Sequence, residues 1–408
     1  IATGEDGKPE IGDITFRGVQ AKAGNDATFI ANHDANFLAA ENSSYLKGSN
    51  SSSGGNIGVS VGVGNAGAGI MVNVGGNFGQ GKAKGNGTTW TETTVDAGNK
   101  LTVQTGNDTN LKGAQLNGKQ VVADIGNNLN METLQDSDYY KSGQTNISIG
   151  GSVAIVGTGG SGSLRYSQQD MKSEYQSTQE QTGIFAGEGG FQITVGNNTD
   201  LKGAVIASTA EVENNKLDTG TLTWSNLDNK AEYKVSGQSV NIGGSSGGLS
   251  GGVASGYHGQ GDKESTTYAA VSPGEITIRD QDKQTQDVTG LSRDPESANN
   301  GFSPIFDKEK EQNRLNRAEA IAELGKQISD VVRTEGDIQA NKEAMALAKE
   351  KYGIEGDISD PENIARIKQE LGIGDYDSHG NPVTDQQVVD AFKSSDYYQK
   401  AYDIAMAE

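Results

Sequence analysis

A nine-residue phrase occurs twice in this chain, as GNDTNLKGA at 106–114 and as GNNTDLKGA at 196–204. The copies are 90 residues apart (196 − 106), which is too long for one turn of a repeating solenoid and too short for a typical independent domain. Only polar residues differ between the two copies, and both end in Leu-Lys-Gly-Ala. The repeat therefore predicts a unit made of several stacked turns.

Each copy follows a short run with the alternation of a β-strand, LTVQT at 101–105 and FQITV at 191–195. The phrase is thus predicted to be one corner and one strand of a coil, with Leu111 and Leu201 pointing inward. Its Gly-Asn residues accept the left-handed backbone angles of such a corner. Neighbouring coils would keep the phrase because they require the same turn.

The composition fits a repeating β fold better than a conventional globular core. Of the 408 residues, 33% are hydrophobic and 6% aromatic, whereas 58 are glycine, and a narrow β core needs fewer large apolar side chains. The chain has no cysteine, which excludes a disulfide framework and thiolate metal sites. Its net charge of −21 opposes phosphate, so we expect no nucleic acid as a partner.

Three glycine-rich arms recur with the same period. Each of three copies, beginning near Gly24, Gly98 and Gly187, opens with coil-like sequence and closes with a hairpin-like arm. The arms cover 56–76, 146–167 and 239–261. In the first arm, aliphatic residues alternate with Gly or Ser, so every large side chain falls on one face of a strand.

Those faces are candidates for contact with a membrane. A membrane-spanning β-strand needs about 9 to 11 residues of apolar and polar alternation, and NIGVSVGVG and GIMVNVGGN approach that pattern. The residues predicted to face lipid are Ile57, Val59, Val61, Val63, Met71, Ile147, Ile149, Val153 and Ile155. The third arm, with Leu249 and Val253 amid glycine, fits least well. The alternative is that these faces pack on the flank of the solenoid or on each other.

After Pro304 the pattern changes from strand to helix. One apolar stripe predicts a helix over about 308–333; it includes Leu315, Ile321, Ile328 and Val332. Asp360 and Pro361 announce a second helix that stops at Gly372. A capping box of Thr384 and Gln387 begins a third.

We therefore predict a mainly β chain: a parallel β-solenoid, or β-helix, with Gly-rich projecting hairpins, followed by a small α-helical C-terminal segment. The predicted boundaries are 1–280 for three superrepeats of about 90 residues, 281–303 for a polar linker, and 304–408 for the helical segment.

No pattern predicts a catalytic site, a cofactor or a metal. A G-x-G-x-x-G spacing at Gly157, Gly159 and Gly162 suggests a dinucleotide loop by itself, but no helix-period segment follows to present its N-terminus to a phosphate. The first arm has the same spacing, so a turn between paired strands is predicted instead. No serine lies in a nucleophile elbow, and no acid pair stands out among the 54 acidic residues.

The polar corners and the histidines favour structural roles. His33, His258 and His379 lie far apart in sequence without ligands at zinc spacing. Asp/Asn-rich corners such as 107–108 and 198–200 could bind calcium, but they lack the nine-residue periodicity of stacked calcium sites. We expect their side chains to stack and to bond to the backbone of the turns.

The longer phrases of the chain resemble the CdiA family, the contact-dependent growth inhibition effectors of Gram-negative bacteria. These phrases are GNDATFIANHDANFLAAENSSYLKGS, GNKLTVQTGNDTNLKGAQLNG, VENNKLDTGTLTWSNLDNKAEYKVSGQSVNIGG and VTGLSRDPESANNGFSPIFDKEKEQNRLNRAEAIAELGKQISDVV. CdiA proteins are large filamentous-haemagglutinin-like proteins of two-partner secretion systems. Residues to about 279 resemble their second haemagglutinin-repeat region, and residues from about 287 to 408 resemble their helical pretoxin segment.

The resemblance implies a non-catalytic delivery module, not an enzyme, that helps move a C-terminal toxin across the outer membrane of a target bacterium. The implied partners are an outer-membrane two-partner secretion transporter, the target-cell outer membrane, and a target-cell receptor bound by another part of the full-length protein. The implied location is secreted, at the cell surface, with the repeat region retained in the periplasm and then transferred to the target-cell outer membrane.

The alternative is a passive adhesin stalk, in which the repeats add only length and adhesive surface. The pretoxin-like tail distinguishes the two hypotheses, because a simple adhesin does not need a segment that passes on a toxin. The family often marks the toxin boundary with Val-Glu-Asn-Asn after the pretoxin helices. Here those letters stand at 212–215, inside the third repeat, so we expect no toxin domain in this chain.

Overall fold

The computed structural model of the chain describes residues 12–64, 67–157, 159–245, 248–377 and 381–407. Side chains at the three hairpin tips, in parts of the long helix and at the end of the last helix also lie outside that description; they are 62–68, 157, 246–251, 253, 322–323, 325–331, 333–334, 337 and 406–407.

Short parallel strands stack in three rows and form a β-solenoid, as the repeat predicts. The first row contains β1 Ile14–Arg17, β4 Ala35–Leu38, β8 Thr109–Lys112, β10 Leu129–Glu132, the end of β13 Gly183–Lys202 and the end of β15 Lys216–Ser225. The second contains β2 Gln20–Ala23, the starts of β7 Thr93–Thr105, β9 Ala114–Ile125 and β13, then β14 Val205–Ser208 and β18 Ala270–Val271. The third contains β3 Ala27–Ala31, the ends of β7 and β9, the middle of β13, the start of β15 and β19 Glu275–Ile278.

Alternate side chains of each row point into a narrow core. Leu111 and Leu201 are both fully buried, which confirms their predicted direction. They pack in one continuous cluster with Leu101, Leu116 and Phe191. Because the side-chain period of a strand is two, the intervening residues remain at the surface.

The repeated phrase supplies a glycine corner at each end of a first-row strand. At Gly106 and Gly196 the coils stack so closely that a Cβ would lie 2.2 and 2.0 Å from a carbonyl oxygen of the neighbouring coil. Gly113 and Gly203 adopt φ values of 63° and 58°, the left-handed region that favours glycine. Steric constraints therefore require glycine at both positions, which explains why the two copies of the phrase keep them.

Asp and Asn side chains tie the stacked corners together. The Asp34 carboxylate accepts the backbone N–H of Asp108 at 3.0 Å, and the Asp108 carboxylate accepts that of Asn128 at 2.9 Å. The Asn128 amide oxygen accepts that of Asn198 at 3.3 Å. The predicted stacking of polar corner residues is therefore confirmed, and each corner satisfies a backbone donor of the next coil.

The three Gly-rich arms are β-hairpins that pair side by side into one six-stranded antiparallel sheet, here called the arm sheet. Its strands in spatial order are β17 Gly248–Thr267, β16 Leu227–Ser245, β12 Gly160–Ser177, β11 Asp136–Gly157, β6 Gly67–Thr91 and β5 Ala40–Gly64. The arms project from the solenoid, as expected. They also join edge to edge, a pairing that no local sequence pattern predicts.

One hairpin leaves the solenoid after every second coil. First-row strands begin at residues 14, 35, 109, 129, 199 and 221, and hairpins follow the second, fourth and sixth of them. The repeating unit therefore contains two coils and one hairpin. The nine-residue phrase marks the first coil after a hairpin, which accounts for its 90-residue spacing.

Residues 281–306 pack against the end of the solenoid and against the arm sheet. Gln284 and Gln286 bond with their side-chain amides to the backbone of Leu222 and Trp224. Further along, the side chains of Leu291, Ala298 and Phe302 are buried. Short 3₁₀ helices lie at Val212–Asn214, Gln281–Lys283 and Val288–Gly290.

In the described residues after 306 the chain forms the helices α1 Lys308–Lys351, α2 Pro361–Leu371, α3 Asp385–Lys393 and α4 Asp396–Ala407. The end of α1 packs with the three shorter helices around Ile364 and Phe392. The predicted stop at Gly372 and the capping box of Thr384 and Gln387 are both present. Within the described ranges, none of the helices combines the length and the apolar content needed to cross a bilayer.

Candidate functional site

The arm sheet has two unlike faces. Residues opposite each other on neighbouring strands lie on the same side of a sheet, so the strand register assigns each residue to a face. On one side, the covered face, Met171 and Val235 pack against Leu315 of α1 and Phe306 just before it. The phenol of Tyr175 donates a hydrogen bond of 2.7 Å to the carbonyl of Phe302 on the same side. The other side is here called the open face.

The outer half of the open face is an aliphatic patch. Strand register sets Ile57 opposite Val74, Val59 opposite Val72 and Val61 opposite Ile70, and it sets Val72 opposite Val153. The remaining members of the patch are Phe78, Ile147, Ile149, Val156, Leu164, Val240 and Ile242. Ile57 is 81% exposed and Val61 79% exposed. A contiguous apolar surface of this kind marks a contact with a partner or a membrane.

Six of the nine residues predicted to face lipid lie together on this patch: Ile57, Val59, Val61, Ile147, Ile149 and Val153. Ile155 lies where the register of β11 against β6 shifts between Ala154 and Val156, and its side chain is exposed. The side chains of Val63, and of Leu249 and Val253 in the third arm, lie outside the described residues.

The prediction that Met71 shares this face is wrong. Met71 pairs with Ser60 and Ala154, so its side chain points to the opposite side and is buried. The even positions of β6, which were not among the predicted residues, belong to the patch; they are Ile70, Val72 and Val74. Aligning the return strand with β5 across the hairpin turn would have found them.

Small polar residues occupy the other side of the same region, as predicted. The Asn73 amide donates a hydrogen bond of 3.0 Å to the Ser60 hydroxyl. Ser152 and Ser161 lie with their hydroxyl oxygens 2.6 Å apart. The outer arm sheet is therefore amphipathic, with aliphatic side chains on one face and, apart from the buried Met71, mainly small and polar side chains on the other.

The G-x-G-x-x-G pattern lies at a hairpin tip. β11 ends at Gly157, and the next element is the antiparallel strand β12, which contains Gly162. Gly159 adopts a φ of 117° in the connection. The predicted turn between paired strands is confirmed, and no helix N-terminus follows it in the described part of the chain.

Two carboxylates lie beside His33 in the structure, those of Asp13 and Asp34, and no sequence pattern predicted either contact. His33 Nδ1 lies 2.9 Å from Asp13 and 3.4 Å from Asp34, and the hydrogen bond with Asp13 raises the pKa of His33. Both carboxylates already serve the corners, since Asp13 accepts the backbone N–H of Asp34 at 3.1 Å. His258 lies beside Gln260, and His379 lies outside the described residues.

Comparison with known proteins shows which family has this kind of repeat. Residues 7–147 match a family model described as Hemagglutinin repeat. The chain is 45% identical over 395 residues to the protein named Deoxyribonuclease CdiA of Dickeya dadantii (strain 3937), covering 94% of this chain and 12% of that protein. It is 47% identical over 360 residues to the tRNA nuclease CdiA of Escherichia coli (strain NC101), covering 86% and 11%.

A third relative is the 16S rRNA endonuclease CdiA of Enterobacter cloacae subsp. cloacae, with 49% identity over 334 residues, covering 80% of this chain and 10% of that protein. No solved structure matches the chain. Stacked parallel coils with a haemagglutinin-repeat signature define a filamentous-haemagglutinin-like β-solenoid. The chain belongs to the CdiA family. It spans about a tenth of the length of these curated relatives.

Proposed function

We propose that this chain is a delivery module of a contact-dependent growth inhibition effector, a non-catalytic region that helps move a C-terminal toxin across the outer membrane of a target bacterium. The observation that carries the proposal is the exposed aliphatic patch on the open face of the arm sheet. A solenoid that only adds length has no need of such a surface, whereas a region that associates with a bilayer does.

The names of the relatives support a role apart from catalysis. The same haemagglutinin-repeat region aligns with a deoxyribonuclease, a tRNA nuclease and a 16S rRNA endonuclease. A region shared by proteins with three different named activities is best explained by a step common to all of them. Transport of the active part into a target cell is such a step.

The dimensions of the patch fit a lipid contact. Along β6 it runs from Phe78 to Ile70, which is about 26 Å at 3.3 Å per residue. The hydrocarbon core of a bilayer is about 30 Å thick. In this proposal Ile57, Val59 and Val61 face lipid, while Ser60 and its neighbours on the other face remain hydrated.

The proposal includes the location and partners of the full-length protein. The protein is secreted through an outer-membrane two-partner secretion transporter, and its repeat region waits in the periplasm until another part of the protein binds a receptor. The repeat region then moves to the target outer membrane. Within the chain we assign 1–280 to the repeat region, 281–303 to a connecting segment and 304–408 to a pretoxin segment.

Arginine substitutions on the two faces of β5 test the membrane contact. In a full-length effector, Val59→Arg should abolish growth inhibition of target cells, because an arginine at the bilayer midplane costs about 2 to 4 kcal/mol. Secretion and receptor binding should be unchanged, since Val59 is 69% exposed and supports no core.

Ser60→Arg is the matched control, because Ser60 is also exposed and points to the other face. It should inhibit target cells as the wild type does. If Val59→Arg and Ser60→Arg both retain full inhibition, with unchanged circular dichroism, the patch has no part in delivery and the proposal is wrong.

A further inference from the structure

Five lysines form a row across the open face, between the solenoid and the aliphatic patch. Strand register sets Lys47 opposite Lys84, Lys84 opposite Lys141, Lys141 opposite Lys172 and Lys172 opposite Lys234. All five side chains are exposed. Adjacent strands are about 4.8 Å apart, so this lysine row places five positive charges within roughly 20 Å.

The row is unfavourable for the sheet by itself, because like charges opposite each other on neighbouring strands are destabilising. One member of the row is neutralised: Lys172 Nζ lies 2.9 Å from Glu174 and 4.0 Å from Glu232. In the described part of the chain, no carboxylate lies within ion-pair distance of Lys47, Lys84 or Lys141, although Lys84 lies over the ring of Tyr139. The row therefore keeps a positive end in a chain of net charge −21.

That positive end lines a cavity of about 900 Å³ on the sheet surface. Lys47, Lys84 and Lys141 contribute to its wall, together with Lys82 and a single acidic side chain, Asp170. The Asp170 carboxylate accepts a hydrogen bond of 2.8 Å from Gln168. Four ammonium groups against one carboxylate make a surface suited to several anionic groups at once.

We propose that the lysine row binds the phosphate groups of lipids at an anionic membrane surface. This inference rests on the proposed function for the membrane itself, and it adds the lipid chemistry that the arm sheet recognises. The lysine row and the aliphatic patch share one face. Phe78 and Ile147, the nearest patch residues, are six positions from Lys84 and Lys141 along their strands, about 20 Å away. A sheet lying along a bilayer brings both into contact with it.

The chemistry of lysine suits this contact. Its apolar stem packs along a surface while the ammonium group stays in the polar headgroup layer. Each basic residue near an anionic surface strengthens binding about fivefold, and the attraction weakens as salt screens it. Loss of three lysines should therefore weaken binding about 100-fold.

The test measures binding of the full chain to vesicles of phosphatidylcholine with and without phosphatidylglycerol, by co-flotation. Wild type should bind vesicles that contain phosphatidylglycerol more tightly, and added sodium chloride should reduce this difference. The triple variant Lys47→Gln, Lys84→Gln, Lys141→Gln should lose the preference for phosphatidylglycerol. A second triple variant, Lys22→Gln, Lys119→Gln, Lys400→Gln, changes the net charge equally at exposed positions elsewhere and should keep it.

Three results would overturn the inference: wild type that does not prefer phosphatidylglycerol, equal loss in both triple variants, or saturable binding of inorganic phosphate at the row without vesicle binding. Val59→Arg separates this inference from the proposed function. If Val59→Arg still delivers toxin but the lysine preference is present, the patch proposal fails and the phosphate site stands. If the preference is absent while Val59→Arg blocks delivery, the reverse holds.

Discussion

The phenol of Tyr257 in β17 donates a hydrogen bond of 2.8 Å to the carboxylate of Glu311 in the first turn of α1. Glu311 is buried, and Arg314 one turn later pairs with its other carboxylate oxygen at 2.5 Å. Next to this group the side chain of Leu315 is 3% exposed and sits over Gly237 of the sheet. Together these contacts hold the start of the long helix on the covered face.

Removal of either contact should loosen α1 from the arm sheet. Tyr257→Phe leaves a buried carboxylate short of one donor and should cost about 1 to 2 kcal/mol. Leu315→Ala should cost about 2 to 4 kcal/mol. Hydrogen exchange of backbone amides in 308–320 should rise in both variants. Ile321→Ala, at a position 63% exposed, is the control and should leave that exchange unchanged.

The stability of the chain should depend on pH through Glu92, at the junction of β6 and β7. Burial raises the pKa of Glu92 from 4.5 to about 7, and the charges of Glu180 and Asp136 add to the effect. The folded protein therefore holds a proton that the unfolded chain releases, so the free energy of unfolding should fall as pH rises from 4.5 to 7 and stay lower above it.

Glu92→Gln should remove this dependence. At pH 8 the variant should be more stable than wild type by about 1 kcal/mol, less than a shift of this size implies for a fully buried group, because the side chain is only half-buried. At pH 4 the two should be equal. Urea unfolding at both pH values measures the difference, and Glu188→Gln, at an exposed position, should show none. Equal stability of wild type and Glu92→Gln at pH 8 would contradict the prediction.

A side chain at Gly113 should be costly. Its φ of 63° is unfavourable for other residues, and a Cβ would lie 2.6 Å from the Cβ of Ala39. Gly113→Ala should lower the free energy of unfolding by about 2 kcal/mol. Gly24→Ala, where nothing lies within 4 Å of the added carbon, is the matched control. Similar thermal midpoints for the two variants would refute the steric account of the repeated phrase.

The polar corners should tolerate amides but not alanine. Asp108 accepts hydrogen bonds from the backbone N–H of Asn128 and from the amide of Asn127, both at 2.9 Å. Asp108→Ala should cost about 1 to 2 kcal/mol, while Asp108→Asn should cost little, because Asn128 serves the same purpose in the next coil. Calcium or a chelator should not change the melting temperature of wild type or Asp108→Asn. A calcium-dependent rise in the wild type alone would assign the corners to metal binding.

Deletion of 306–408 from a full-length effector distinguishes a delivery module from a passive stalk. Surface display and adhesion to target cells should persist, whereas growth inhibition should be lost, because the deletion removes the helical bundle built around Phe392. Cell-binding and competition assays with the deleted effector measure the two effects. Unchanged inhibition would mean that this tail takes no part in passing on the cargo.

Features fixed by neighbouring residues were predictable from the sequence. The inward direction of Leu111 and the stop at Gly372 follow from strand alternation and from the backbone freedom of glycine. The far end of α1 was not predicted, since the helix continues through Gly336 and the apolar stripe weakens there. Local sequence patterns therefore predict the type of a secondary-structure element better than its length.

Pairing between arms was beyond the sequence because it joins residues far apart in the chain. Phe78 meets Ile147 across two intervening coils, and Gly-rich strands carry little information about register. The same limit hid the lysine row, whose members are scattered from Lys47 to Lys234 and become neighbours only when the strands pair. The alternation of β6 alone likewise does not assign Met71 to a face, because the face depends on which residues of β5 and β11 it pairs with.

The alternation of two coils with one hairpin has a consequence for how such a chain can change length. Parallel coils climb about 4.8 Å each, so two of them advance about 9.6 Å, which is also the width of a two-stranded hairpin. The solenoid and the arm sheet therefore advance by the same distance with each repeating unit. Loss of a single coil would bring adjacent hairpins about 5 Å too close, and gain of one would leave them too far apart to hydrogen-bond. Duplications and deletions in this chain should survive only in whole units of two coils and a hairpin.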